Sequence, residues 1–443
     1  AGSGNFSLKL TTSGVNGVAS GSTGKASINN AAIVPVSPAT VAGQVVPVAF
    51  PAATSASGAS TASGSDFTYS EVGGFRLAGY DPASDTTSPR GVYDDTWTAV
   101  DSPTTQNDCV RGSYSNTKDS SGKYGCNFGL TQNTATIGRF IPDHFAITPG
   151  VVTPACGTLF SYFGQDGFLT PFTLAAQNAA NATTQNYAGN LAKLGLTTWG
   201  AAPASSASPG FGFATSASLP DGTTLTASTT APTGTWVKGV ASVSAKHQVS
   251  RPTNLTGETA VTVTALPVDA DGVTMAVATE VQTASTPLRY GRITLSNAFG
   301  TEKSALQLPM QIQYWSGKSW VANNADTCTA IQASDFSFAF PTTRLSACET
   351  AISVAGTAPN YTLTLAAPGT GNHGSTDIAL NLGATASGNR CVAVGGAGPA
   401  STTAKAPWLQ YLWSGVLGNP SARATFGVYA PETRRMIHVR ELF

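Results

Sequence analysis

Six cysteines, four histidines and the aspartates of PVDADGVT are the side chains whose chemistry could give this chain a function. The cysteines stand at Cys109, Cys126, Cys156, Cys328, Cys348 and Cys391. None forms the CxxC pair that zinc ribbons and redox sites need, so their even number points to disulfides made in an oxidising compartment. A Cys109–Cys126 bridge would close the loop RGSYSNTKDSSGKYG, which has little else to order it. The other four allow three pairings, and spacing does not choose among them. In PVDADGVT, Asp269 and Asp271 lie two apart with Gly272 next. Calcium loops alternate carboxylates in this way so that successive oxygens converge on one hard cation, with glycine permitting the sharp turn. The segment lacks the further acids and terminal Glu of a full calcium loop, and a plain β-turn favours the same residues. Calcium at Asp269 and Asp271 is the one cofactor the sequence raises.

His144, His247, His373 and His438 are dispersed, and no two form a local ligand pair. GxSxG, HExxH and GxxxxGK[ST] are all missing, so a hydrolase built on a scattered triad has no motif behind it and no catalytic residue is assigned. Aromatic residues supply the remaining signal. YWSGKSW places Trp315 and Trp320 on either side of a turn, where they could stack on sugar rings or anchor an interface, or pack against a second sheet or domain. WLQYLW, with Trp408, Tyr411 and Trp413, is too bulky for water and reads as core.

These residues must be held by strands. In LQLPMQIQYW, Leu306, Leu308, Met310, Ile312 and Tyr314 share one face, with Gln307, Gln311 and Gln313 on the other. Pro309 cannot donate to a ladder, which points to an edge or a bulge. YGRITLSNAFG precedes it as the other arm of a hairpin. DFSFAF, YTLTL, TAVTVTAL and ATFGVY repeat the period of two, and only NLAKLGL suggests a helical turn. With 47 Gly and 26 Pro, this pattern predicts an all-β chain of two or three consecutive β-sandwich-like domains with short strands, long loops and disulfides. The divisions read from it are a low-complexity segment over 1–65 that carries strands and has an assembly role, a first β unit over 66–148, a second sandwich over 149–285 and a C-terminal sandwich over 286–443. The turn clusters ITPGVVTP and ASTPLRYGR mark the last two boundaries.

Only 10% of the residues are charged, against roughly 25% in an average domain, and 23 basic residues balance 23 acidic ones. A nucleic-acid partner needs a basic face, and none is present. No apolar run is long enough to span a membrane. AGSGNFSLKL has neither the charged nor the apolar region of a signal peptide, so export implies a leader outside this numbering or a longer precursor.

IGRFIPDHFAIT, FSYFGQDGFLTPFTLAAQNAANATTQNYAGNLAKL, LRYGRITLSNAFGTEKSALQLPMQIQYWSGKSWVANNADTCT and PSARATFGVY resemble the large C-terminal domain of MshQ-type proteins, from about residue 66 to the end. That family is associated with biogenesis of the mannose-sensitive haemagglutinin (MSHA) type IV pilus in Gram-negative bacteria. The resemblance implies an exported protein at the pilus or cell surface and brings no catalytic residues. Where family members often carry an Asp-rich stretch before PSARATFG, this chain has YLWSGVLGN. The expected function is a non-enzymatic adhesin or structural and assembly subunit of an extracellular filament, with pilus proteins or its own copies as partners. A secreted carbohydrate-binding module that takes a surface glycan is the alternative.

Overall fold

The computed structural model describes all residues except 3, 13–25, 51–53, 57–58, 95–108, 198, 201–203, 216–217, 229, 385–386, 402, 414 and 428–443. The fold is all-β, with a few single turns of 3-10 helix, one of them, Gly189–Leu191, overlapping the first two residues of NLAKLGL. No helix among the described residues is long and apolar enough to cross a membrane. Apolar side chains collect in three cores, in chain order.

In the first core, β1 (Phe6–Thr12) pairs antiparallel with β3 (Ala59–Tyr69), and β2 (Ile33–Val36) pairs with β4 (Gly73–Leu77), which also takes β5 (Ile137–Phe140). Ile28, Ile33 and Val45 are buried with Phe67, Tyr69 and Phe75, so residues on both sides of position 65 fill one interior. Phe75 stacks on Tyr69 with ring centroids 4.3 Å apart.

The second core is a sandwich. One sheet carries β6 (His144–Pro149), β8 (Phe168–Gln177) and β10 (Val240–Val249). β8 alternates buried and half-buried residues along its whole length, as a sheet with one face on a core must. The facing sheet holds β9 (Gly210–Thr215) and β11 (Val263–Val268). Phe172 of β8 meets Phe211 and Phe213 of β9 across the interior, edge to face at 5.9 and 6.3 Å. Each such buried side chain contributes about 1.5–3 kcal/mol. Two short strands, β7 (Ser161–Tyr162) and β12 (Thr286–Arg289), lie at the end of this unit and pair in parallel.

In the third core, β13 (Gly291–Leu295), β14 (Met310–Trp315) and β15 (Trp320–Ala322) form one sheet. A second carries β16 (Phe336–Ala339), β19 (Gly374–Leu380) and β22 (Ser421–Phe426). A third small sheet contains the hairpin β17 (Ile352–Thr357) and β18 (Asn360–Leu365), and β20 (Tyr411–Trp413) with β21 (Val416–Gly418) stand as a separate hairpin. Leu308 and Ile312 point inward, as the alternation in LQLPMQIQYW requires. Pro309 directly follows an edge strand, since residues 306–308 pair only with β18. Residues 306–308 pair with β18 and residues 310–315 with β13, so the proline falls where the chain passes from one sheet to another. β14 is the central strand of its sheet, and Pro309, which precedes it, costs that sheet no ladder bond.

Candidate functional site

A buried network of side chains lies at the joint between the second and third cores. After β6 the chain leaves its own sandwich: Cys156, Phe160 and Tyr162 are buried in the third core, while Phe163 and Phe168 return to the second. Backbone pairing holds the excursion in place, because β7 lies parallel to β12 and Phe163 N–H donates to the Arg289 carbonyl at 3.0 Å. A disulfide from Cys156 to Cys328 then fixes it covalently across 172 positions of sequence.

Beside that disulfide lies a fully buried aspartate, Asp326. Its Oδ2 accepts from the Tyr162 hydroxyl at 2.6 Å and the Thr329 hydroxyl at 2.6 Å. Its Oδ1 accepts from the backbone N–H groups of Cys328 and Thr329, at 3.0 and 2.9 Å. Four donors replace the water that this carboxylate loses, which is what makes its burial tolerable. Asn323 donates to the Tyr162 oxygen at 2.6 Å and accepts from Arg289 Nη1 at 2.7 Å. Burial, and next the Asp326 charge, push the Tyr162 phenol well above its ordinary pKa, so it remains a donor. Gly291 allows the close approach: a Cβ there would come within 2.4 Å of the Tyr162 ring and 2.6 Å of Leu409.

A second layer is made of guanidinium groups and rings. Arg251 donates to the Gln410 carbonyl and, at 2.7 Å, to that of Gly291, with its Cζ 4.1 Å from the centre of the Tyr290 ring. Arg292 donates to Gln313 Oε1 at 2.9 Å and lies 3.8 Å from the Trp320 centroid and 5.0 Å from that of Tyr411. Partial desolvation makes such cation–π contacts worth about 1–2 kcal/mol. Trp320 meets Trp315 at 5.6 Å and Tyr411 at 5.2 Å, both edge to face. Trp315, Trp320 and Tyr411 come from the third unit and pack against the second core.

The two tryptophans singled out by sequence are therefore brought together, with Arg292 over one face of Trp320 and ring edges around it. Tyr411 and Trp413 of WLQYLW join the same cluster, whereas Trp408 packs on the third core. All six cysteines are paired: Cys109–Cys126, Cys156–Cys328 and Cys348–Cys391. Asp269 and Asp271 lie elsewhere, beside the second core. Buried Asp269 accepts from the Tyr187 hydroxyl at 2.7 Å and from the N–H groups of Asp271 and Val273, each at 2.9 Å, while Asp271 pairs with Arg139. Burial raises the Asp269 pKa. A calcium ion there would have to compete with these donors.

The histidines stay apart. His144 sits between Asp143 and Gln177, and His373 lies 3.1 Å from Arg344. His247 is buried against Thr170 Oγ1 at 2.7 Å, and burial holds its pKa down to about 3. His438 lies outside the described residues. Cys156, Asp326 and Cys328 form the one cluster of metal-ligand residue types among the described residues, and two of its three members are the sulfurs of a disulfide. Sequence reading passed over Tyr162, Asp326, Arg251 and Arg292. The available signal was an isolated acid amid turn formers in NNADTCT for Asp326 and the motif LRYGR for Arg292.

Residues 112–290 match the model of the third domain of DUF6701, and residues 289–442 match its fourth. The chain carries DUF6701 domains. The boundary between the two DUF6701 domains falls at Arg289 and Tyr290, inside the joint just described. The excursion through Cys156 and Tyr162 thus belongs to the third DUF6701 domain by sequence and to the core of the fourth by packing. No curated protein matches the chain. Among solved structures, FdeC, described as a conserved Escherichia coli adhesin, is 14% identical with a TM-score of 0.29, over 88% of this chain and 94% of that one. BcpA, the major pilin subunit of Bacillus cereus, is 8% identical with a TM-score of 0.16, over 86% and 88%. At TM-scores below 0.5 neither likeness carries an argument about this chain.

Proposed function

We propose that this chain is a non-enzymatic, exported β protein of a Gram-negative surface filament of the type IV pilus class, serving as an adhesin or a structural and assembly subunit. The observation that carries this reading is the path of covalent bonds. A pull on the two ends runs along the backbone to Cys156, crosses to Cys328 through the disulfide, and continues to the C-terminus. Almost the whole second core lies on a closed loop outside that path. Cys348–Cys391 shields a further stretch of the third core in the same way. Such shunts suit a protein that bears tension outside the cell, where disulfides persist. The described histidines and all six cysteines are engaged in structural contacts, which supports a non-enzymatic role. The charge-poor composition fits close packing among neighbours.

Immunogold electron microscopy of intact cells tests this reading. Labelling at or along surface filaments, with filament number or adhesion falling on gene deletion, is expected. Labelling confined to the cytoplasm, with filaments and adhesion unchanged, would overturn it.

A further inference from the structure

A strand at the edge of a sheet presents unpaired N–H and C=O groups, and proteins commonly guard such edges with a charge, a proline or extreme brevity. The described edge strands of four or more residues obey that rule with one exception. β1 carries Lys9, β2 Pro35, β5 Arg139, β6 Pro149 and β13 Arg292. β17 pairs only with β18, and its sequence ISVAGT contains neither charge nor proline. Ser353 and Ala355 are exposed on its outer face, while Val354 is half-buried against the third core. A 3-10 turn, Ala333–Asp335, approaches its first residues, and Gly356, at φ 88°, bends its end, so the segment on offer is centred on Val354.

We infer that this edge pairs with the same edge of a second copy, antiparallel about a two-fold axis, extending the β17–β18 sheet across the contact. The self-pairing is favoured over a foreign strand by what the edge is made of. Identical uncharged strands meet with no like-charge cost, and the chain as a whole balances 23 basic with 23 acidic residues. With Val354 opposite Val354, Ser353 faces Ala355 of the other copy. The small outer residues then clash with nothing, and the exposed part of Val354 is covered. A contact this short is weak in isolation and gains effect where copies are held at high local concentration. The inference rests on the structural-subunit form of the proposed function.

All native cysteines are paired, so an introduced thiol reports on this edge alone. Ser353→Cys and Ala355→Cys proteins, mixed and oxidised, should give a covalent heterodimer in preference to either homodimer. Sedimentation equilibrium of the native chain into the millimolar range should show reversible dimers, and Ala355→Lys should weaken them by about tenfold or more with an unchanged melting temperature. Ala355→Asp, of opposite charge, should do the same. A strictly monomeric native chain, dimers that survive both charged variants, or failure of the mixed thiols to crosslink would each overturn the inference. A monomer that still labels at surface filaments would overturn it and leave the proposed function standing.

Discussion

The second core is joined to its two neighbours in different ways. Toward the first core the joint combines apolar packing, with Ala39 and Val72 buried in the second core, and hydrogen bonds to loops. Asn186 accepts from the N–H groups of Thr40 and Val41 and donates to the carbonyls of Val41 and Val72. Glu71, buried, accepts from the N–H groups of Gln185 and Asn186. Toward the third core a piece of one unit is built into the other, closed by a disulfide and covered with stacked arginines. A hydrogen bond contributes about 1 kcal/mol net and re-forms after rupture, whereas withdrawing the excursion from the third core requires breaking the Cys156–Cys328 bond. The first joint has no covalent cross-link; the second has one.

The largest effect should come from making the covalent joint resemble the other. Replacing Cys156 and Cys328 together by Ser frees a loop of 172 positions, which chain entropy values at about 5 kcal/mol. Calorimetry should show the second and third cores losing stability while the first is barely moved. Acid tests what the two joints share, since both hang on the second core. Its buried His247, with a folded pKa of about 3 against an ordinary 6.5, stays neutral while the unfolded chain takes up a proton. Stability from this group is therefore intact above pH 6.5 and falls by about 1.4 kcal/mol per unit as the pH drops from there toward 3. His247→Gln should flatten that slope in a pH series of melting curves.

Tyr162→Phe should cost about 2–3 kcal/mol, because it removes one donor from buried Asp326 and the acceptor of Asn323. Asn186→Ala should cost about 1–3 kcal/mol, and hydrogen exchange should show faster opening confined to the first joint. Equal loosening at both joints would erase the distinction between them. Arg292→Lys should have the smallest effect, about 0.5–1 kcal/mol, since an ammonium keeps the charge but cannot lie flat on Trp320.

Local features of the fold were legible in the sequence. The alternation in LQLPMQIQYW and DFSFAF reports directly which side chains face a core, because a strand has a period of two whatever it pairs with. The Cys109–Cys126 bridge spans a loop short enough to read by eye. The joint was not legible. Tyr162 and Asp326 are 164 positions apart, and neither has a neighbour in sequence that announces the other. Nor could composition show how the small-residue N-terminal stretch is used. It reads as a tether or an assembly strand, yet Ile28, Ile33 and Val45 fill the first core beside Phe67 and Phe75. Deleting residues 1–65 is accordingly expected to unfold that core rather than remove a free arm.

The central claim, that the second core is shielded from end-to-end tension, can be measured by pulling single molecules by their termini with and without reductant. Oxidised protein should give no length increment from the residues between Cys156 and Cys328. Reduced protein should release about 600 Å more from that stretch, at roughly 3.3–3.6 Å per residue. Full release of that length from the oxidised protein would contradict the account.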